Sequence, residues 1–125
     1  MPRENSIVDQ ILKYLNSLEN CVAEKTQGTA LSSGKADING CLNGRALRIE
    51  AKTLDHGNTP SKKQYVNLMR WAAAGAICIV AYTVADVQKI IRPSGEIRTV
   101  YRQDYGNGMI AERIIERKCN NDKHN

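Results

Sequence analysis

A chain of 125 residues, 42% of them hydrophobic, is long enough for one domain with a single core and too short for two. Its 18 Lys and Arg against 13 Asp and Glu leave a net charge of +5, which suits a polyanionic partner and serves solubility equally well. No stretch approaches the roughly 18 apolar residues of a membrane span and the N-terminus lacks an apolar signal core, so a cytoplasmic location is expected.

Residues 4–18 place Ile7, Val8, Ile11, Leu12, Leu15 and Leu18 at helical spacing, which predicts a helix with one buried stripe. Glu4 lies at the edge of that stripe, where the helix N-terminal dipole also favours a carboxylate. Residues 21–25 read as a first strand, followed by a polar loop through Ser33. The Asn43-Gly44 dipeptide then separates two alternating runs, residues 36–42 and 45–53, the strongest short-range signal for a type I′ hairpin. If Leu42 pairs with Arg45, Asp37 faces Glu50 with Cβ atoms about 4.5–5.5 Å apart. Ala36, Ile38, Leu42, Leu47, Ile49 and Ala51 fall on the core face, and Asp37, Asn39, Arg48, Glu50 and Lys52 on the other.

Beyond the hairpin, Thr59-Pro60 predicts a helix with Thr as N-cap and Pro at the first position. Tyr65, Leu68, Met69 and Ala72 make its buried stripe, Gln64 flanks that stripe, and Gly75 ends it. Lys62 and Lys63 are poorly placed for the helix dipole, which points to phosphate contact instead. Residues 76–82 are continuously apolar, as expected of a central strand covered on both faces. Thr83-Val84-Ala85-Asp86 opens a short helix ending near Ile91, Pro93-Ser94-Gly95 is a turn, residues 96–102 read as a strand and residues 109–118 as a last helix. The expected architecture is a single α/β domain over residues 1–118, an αβββαβ core with a mixed sheet flanked by helices and a C-terminal strand and helix appended, with residues 119–125 as a frayed tail.

Like charges directly opposite in an antiparallel pair repel, so two facing carboxylates call for a cation between them. Mg²⁺, which takes one or two carboxylates and keeps several waters, is the natural occupant, and Lys52 projects to the same side. Singly, each of these residues is an ordinary solvated side chain. Their conjunction on one face carries the signal. Cys21, Cys41, Cys78 and Cys119 show no C-x-x-C spacing, Cys78 reads as core, and His56 and His124 stand in polar segments, so no zinc or thiol-redox motif is indicated.

The ordered set Gly34-Lys35-Ala36-Asp37-Ile38, then Arg48-Ile49-Glu50-Ala51-Lys52, then Thr59-Pro60-Ser61-Lys62-Lys63-Gln64 resembles the PD-(D/E)xK nuclease superfamily, and within it the small stand-alone virus-type replication-repair (VRR-NUC) nucleases. The likeness covers roughly residues 4–87. Ala36 stands where the family pattern has Pro before the Asp. The resemblance implies a restriction-endonuclease-like fold and a Mg²⁺-dependent endonuclease, with Mn²⁺ able to substitute. It gives Asp37 and Glu50, with the Ala51 carbonyl, to the metal, Lys52 to the attacking water and Gln64 to completing the site. Glu4 matches a carboxylate commonly found early in the family's first helix. Lys35, Arg48, Lys62 and Lys63 are the candidate DNA contacts. Little of the chain remains for reading bases, so structure-specific cleavage of branched or junction DNA in replication, repair or recombination is expected, by a homodimer because a symmetric junction needs two sites. The alternatives are a sequence-specific restriction-type nuclease and a non-catalytic nucleic-acid-binding module of the same fold.

Overall fold

The computed structural model describes residues 4–27, 34–53 and 60–98. Seven elements follow one another: α1 (Glu4–Asn16), β1 (Cys21–Lys25), β2 (Ile38–Leu42), β3 (Arg45–Ala51), α2 (Lys62–Ala73), β4 (Ile77–Ala81) and α3 (Val84–Ile90). The strands form one sheet in the order β1-β2-β3-β4. The first three are antiparallel neighbours, whereas β4 lies parallel to β3, because α2 carries the chain across one face of the sheet before it re-enters. The protein is thus an α/β domain with a mixed sheet between helices.

The turn chemistry sets the register of β2 and β3. Asn43 and Gly44 have φ of 49° and 85°, the pair of positive values that a type I′ turn requires, and Leu42 pairs with Arg45 as expected from the sequence. β2 begins at Ile38, two residues later than expected, and β3 ends at Ala51 rather than residue 53. α1 ends at Asn16, two residues short of Leu18. There the Asn16 side chain donates to the Ala23 carbonyl (3.0 Å) and accepts from the Ala23 N–H (2.9 Å), which ties the helix end to β1.

Two cores lie on opposite faces of the sheet. On one, Ile7, Val8, Ile11 and Leu15 of α1 and Val87 and Ile90 of α3 bury Ile38, Leu42, Leu47, Ile49, Ala51, Ile77, Ile79 and Ala81. On the other, Leu68 and Ala72 of α2 pack against Ala36, Cys78, Val80 and Tyr82, with Tyr65 and Met69 partly buried beside them. Ala36 therefore breaks the expected alternation. The chain bends at Asp37 before β2 begins, so Ala36 joins the α2 core instead of sharing the α1 face with Ile38.

The α2 cap is Ser61, not Thr59. Ser61 Oγ accepts from the Gln64 N–H (3.1 Å) while Gln64 Oε1 accepts from the Ser61 N–H (2.9 Å), a reciprocal box that satisfies two helix-end donors and fixes the start at Lys62. Thr59 itself lies outside the described residues. β4 is fully buried, yet it is an edge strand among the described residues rather than a central one. Helices over both faces produce the same unbroken apolar run that two flanking strands would. α3 opens on the expected Thr83 cap, with Asp86 Oδ2 accepting from the Tyr82 and Thr83 N–H groups (2.8 and 3.2 Å). After it, a single antiparallel bridge joins Ile91 to Ile97, in place of the start of a strand at residue 96. Residues 99–102, the expected helix over 109–118 and the tail lie outside the described residues. Among the described residues, no helix is long and apolar enough to cross a membrane.

Candidate functional site

The Asn43-Gly44 turn positions both acidic residues, though not as simple opposite partners. The β2–β3 ladder ends at the Ile38 and Ile49 pair, one rung before Asp37 and Glu50. Asp37 completes the ladder with its side chain instead. Its Oδ2 accepts the Ala51 N–H at 2.8 Å, while its carbonyl accepts the Thr26 N–H at 2.8 Å. Ala51 is fully buried, so this carboxylate is what satisfies its amide. A strand residue presents its N–H and C=O to the same neighbour, so the Ala51 carbonyl is directed toward the Asp37 side as well.

Glu50 lies on the opposite pleat from Ile49 and Ala51, under α2. The sequence implied an open polar face here, but α2 covers it, and Glu50 is only 2% exposed, the sole polar or charged member of the buried set among the described residues. Burying a carboxylate is costly unless it is paired and hydrogen-bonded. Glu50 Oε2 accepts from Gln64 Nε2 at 2.8 Å and has Lys52 Nζ at 3.5 Å. The Gln64 amide is therefore used at both ends, its oxygen capping α2 and its nitrogen holding Glu50. Lys52 is itself largely buried, with its side chain 12% exposed.

A basic groove of about 580 Å³ opens alongside α2, lined by Gly34, Lys35, Lys62, Lys63, Val66, Asn67 and Arg70. Gly34 has φ of 85°, and a Cβ placed there would stand 2.8 Å from Lys63 Cγ, so glycine both accommodates the turn and leaves room for the lysine stem. Arg48 does not line the groove. Its guanidinium lies 3.6 Å from the centroid of the Trp71 ring, and its Nη1 donates to the Leu47 carbonyl at 2.7 Å. Burial pulls the Arg48 pKa below its ordinary value, partly opposed by the neighbouring Cys78. The Cys78 thiol, buried in the α2 core, is pushed up to about 12, with Arg48 and Arg45 acting against that rise.

The fold thus gathers Asp37, Glu50, Ala51, Lys52 and Gln64 at one end of the β2–β3 hairpin beneath the start of α2, and Lys35, Lys62 and Lys63 in the adjoining groove. Glu4 begins α1, and its side chain lies outside the described residues. Sequence reasoning missed Ser61 as the cap and Asn67, Arg70 and Trp71 as surface partners. Positions 63, 67 and 70 share one helix face at spacings of four and three, a signal that was present in the sequence.

The donor set consists of two carboxylates and a carbonyl. Oxygen-only donors few in number fit a hard divalent cation that retains water, and they do not fit a softer metal. Among the described residues, no group of three or more His, Cys, Asp and Glu side chains is placed to hold a metal ion, so a cation here relies on the carbonyl, water and phosphate for its remaining ligands. No family model matches the chain, and no curated protein matches it either.

Proposed function

We propose that the protein is a Mg²⁺-dependent endonuclease that hydrolyses DNA phosphodiester bonds, and that its sheet and helices form a restriction-endonuclease-like core of the VRR-NUC kind. The observation that carries this reading is the buried Glu50 carboxylate, held by Gln64 and Lys52, with the Asp37 carboxylate anchored on the N–H of the following strand residue, Ala51. A protein that only binds DNA gains nothing from sinking a carboxylate into its core beside a phosphate site.

Asp37, Glu50 and the Ala51 carbonyl would hold the cation. When bound, Mg²⁺ supplies acidity to a water and positive charge toward the phosphate. The residues of the chain do the rest. Gln64 fixes the Glu50 carboxylate through Nε2, and the Ala51 N–H fixes Asp37, so neither acid has to reorganise when the substrate arrives. Lys52 presents an ammonium that orients the attacking oxygen and offsets negative charge gathering on the phosphate. Water oxygen joins phosphorus as its proton passes to solvent, the ester P–O bond breaks, and the leaving oxygen takes a proton from solvent. Lys35, Lys62 and Lys63 hold flanking phosphates, which positions the backbone without reading bases. Branched or junction DNA is the substrate class that such backbone recognition serves, and a two-fold junction calls for a homodimer.

The test is a cleavage panel of junction, flap, single-stranded and linear duplex DNA with Mg²⁺ or Mn²⁺, with Glu50→Gln as control. The wild type is expected to cut at least one branched substrate and Glu50→Gln none. A folded wild type that cuts nothing with either metal ends the nuclease reading.

A further inference from the structure

Among the described residues, Val22, Val66 and Trp71 are the exposed large hydrophobic side chains, and two of the three are on α2. A single exposed apolar side chain needs no explanation. These two, however, interleave with the basic residues of the same helix. Val66 lines the basic groove, and Trp71, 38% exposed, borders a second open pocket of about 240 Å³ with Arg70 and Ala74. Arg70 belongs to both pockets, so they form one track along α2. Among the described residues, no acidic side chain lines either part.

The Trp71 ring is also held from beneath. The Arg48 guanidinium sits 3.6 Å from its centroid, a cation–π contact that fixes the ring in place. Cationic side chains tracking a backbone, with an aromatic ring offering a flat apolar surface among them, is the arrangement that binds single-stranded nucleic acid, since every base has a π-face to stack. Bases inside an intact duplex are already stacked and cannot reach such a ring.

We propose that Trp71, backed by Arg48, stacks an unpaired base, and that the groove of Lys35, Lys62, Lys63 and Arg70 carries the strand to which that base belongs. This rests on the nuclease reading for its consequence. The substrate then enters with an unpaired stretch of DNA next to the bond that is cut. Trp71 lies seven residues beyond Gln64, about 10 Å along the helix. That span is about three nucleotides at the stacked rise of 3.4 Å, and fewer for an extended strand.

Trp71 is the only tryptophan in the chain, so its fluorescence reports on this ring alone. The wild-type protein is titrated in EDTA with oligothymidylate and, separately, with a blunt duplex of the same length. Oligothymidylate is expected to quench the emission saturably and the duplex to leave it nearly unchanged. By anisotropy of a labelled oligothymidylate, Trp71→Ala is expected to weaken binding by about tenfold or more, Trp71→Phe to recover most of the loss, and duplex binding to change by less than about twofold. Arg70→Ala is expected to lower the salt slope of oligothymidylate binding by about 0.7. Saturable binding of oligothymidylate with unchanged emission, or equal affinity in wild type and Trp71→Ala, overturns the proposal. Because the assay is free of metal, quenching in a protein that never cuts DNA would sustain the platform and discard the nuclease, whereas cutting with an unquenched tryptophan would do the reverse.

Discussion

Replacing Asp37 by alanine and, separately, by asparagine divides its structural task from its chemical one. The Asp37 carboxylate accepts the N–H of Ala51 at 2.8 Å, and Ala51 is fully buried. Alanine at position 37 leaves that donor without an acceptor inside the protein, which costs about 1–3 kcal/mol. Asparagine can offer its amide oxygen to the same N–H and loses only the charge assistance, so its cost is expected to stay below about 1 kcal/mol. Urea unfolding in EDTA should therefore rank wild type, Asp37→Asn and Asp37→Ala in descending order, with a gap of about 1–2 kcal/mol between the two variants at the middle of those ranges. Adding Mg²⁺ at a hundred times its dissociation constant should raise the wild type by about 2.7 kcal/mol and neither variant appreciably, since both lack the ionised ligand. Equal stability of the two variants in EDTA would show that Ala51 finds another acceptor and that the carboxylate does not close the ladder. A wild type whose stability ignores Mg²⁺ would refute the metal site.

Gln64→Glu keeps an oxygen for the Ser61 N–H but sets a second carboxylate against Glu50, which is 2% exposed. Cleavage is expected to fall about 10–100-fold with helix content retained, and thermal stability is expected to recover as pH falls and the two acids share a proton; unchanged cleavage would remove Gln64 from the site. Ser61→Ala should lower stability by about 1 kcal/mol in thermal or urea unfolding, through loss of the α2 cap. For Cys78, the native thiol is held at about 12 against an ordinary 9.0, so the unfolded chain releases its proton first. Stability should therefore fall as pH rises from 9 toward 12, by up to about 1.4 kcal/mol per pH unit, and Cys78→Ala should lack that component when the two unfolding profiles are subtracted.

Local chemistry makes the hairpin legible in the sequence. Asn43 and Gly44 are the residues that tolerate two consecutive positive φ values, and once they form the turn, the register of β2 and β3 follows without information from elsewhere in the chain. The α1 stripe and the Thr83 cap were legible for the same reason, since spacing and capping act over a few residues. The polar face of the hairpin was not. Whether Arg48 and Glu50 meet water or a helix depends on where α2 crosses the sheet, and that is fixed by the burial of Leu68 and Ala72 against β4 some thirty residues beyond the hairpin. Only that crossing sinks Glu50 beneath Gln64, seats Arg48 on Trp71 and turns Ala36 toward a second core. Sequence alone therefore determined the register of the two strands that lead to Asp37 and Glu50, because a two-residue turn is a local geometric constraint. Tertiary packing decided what surrounds them, because burial is a property of all the elements that meet at a place.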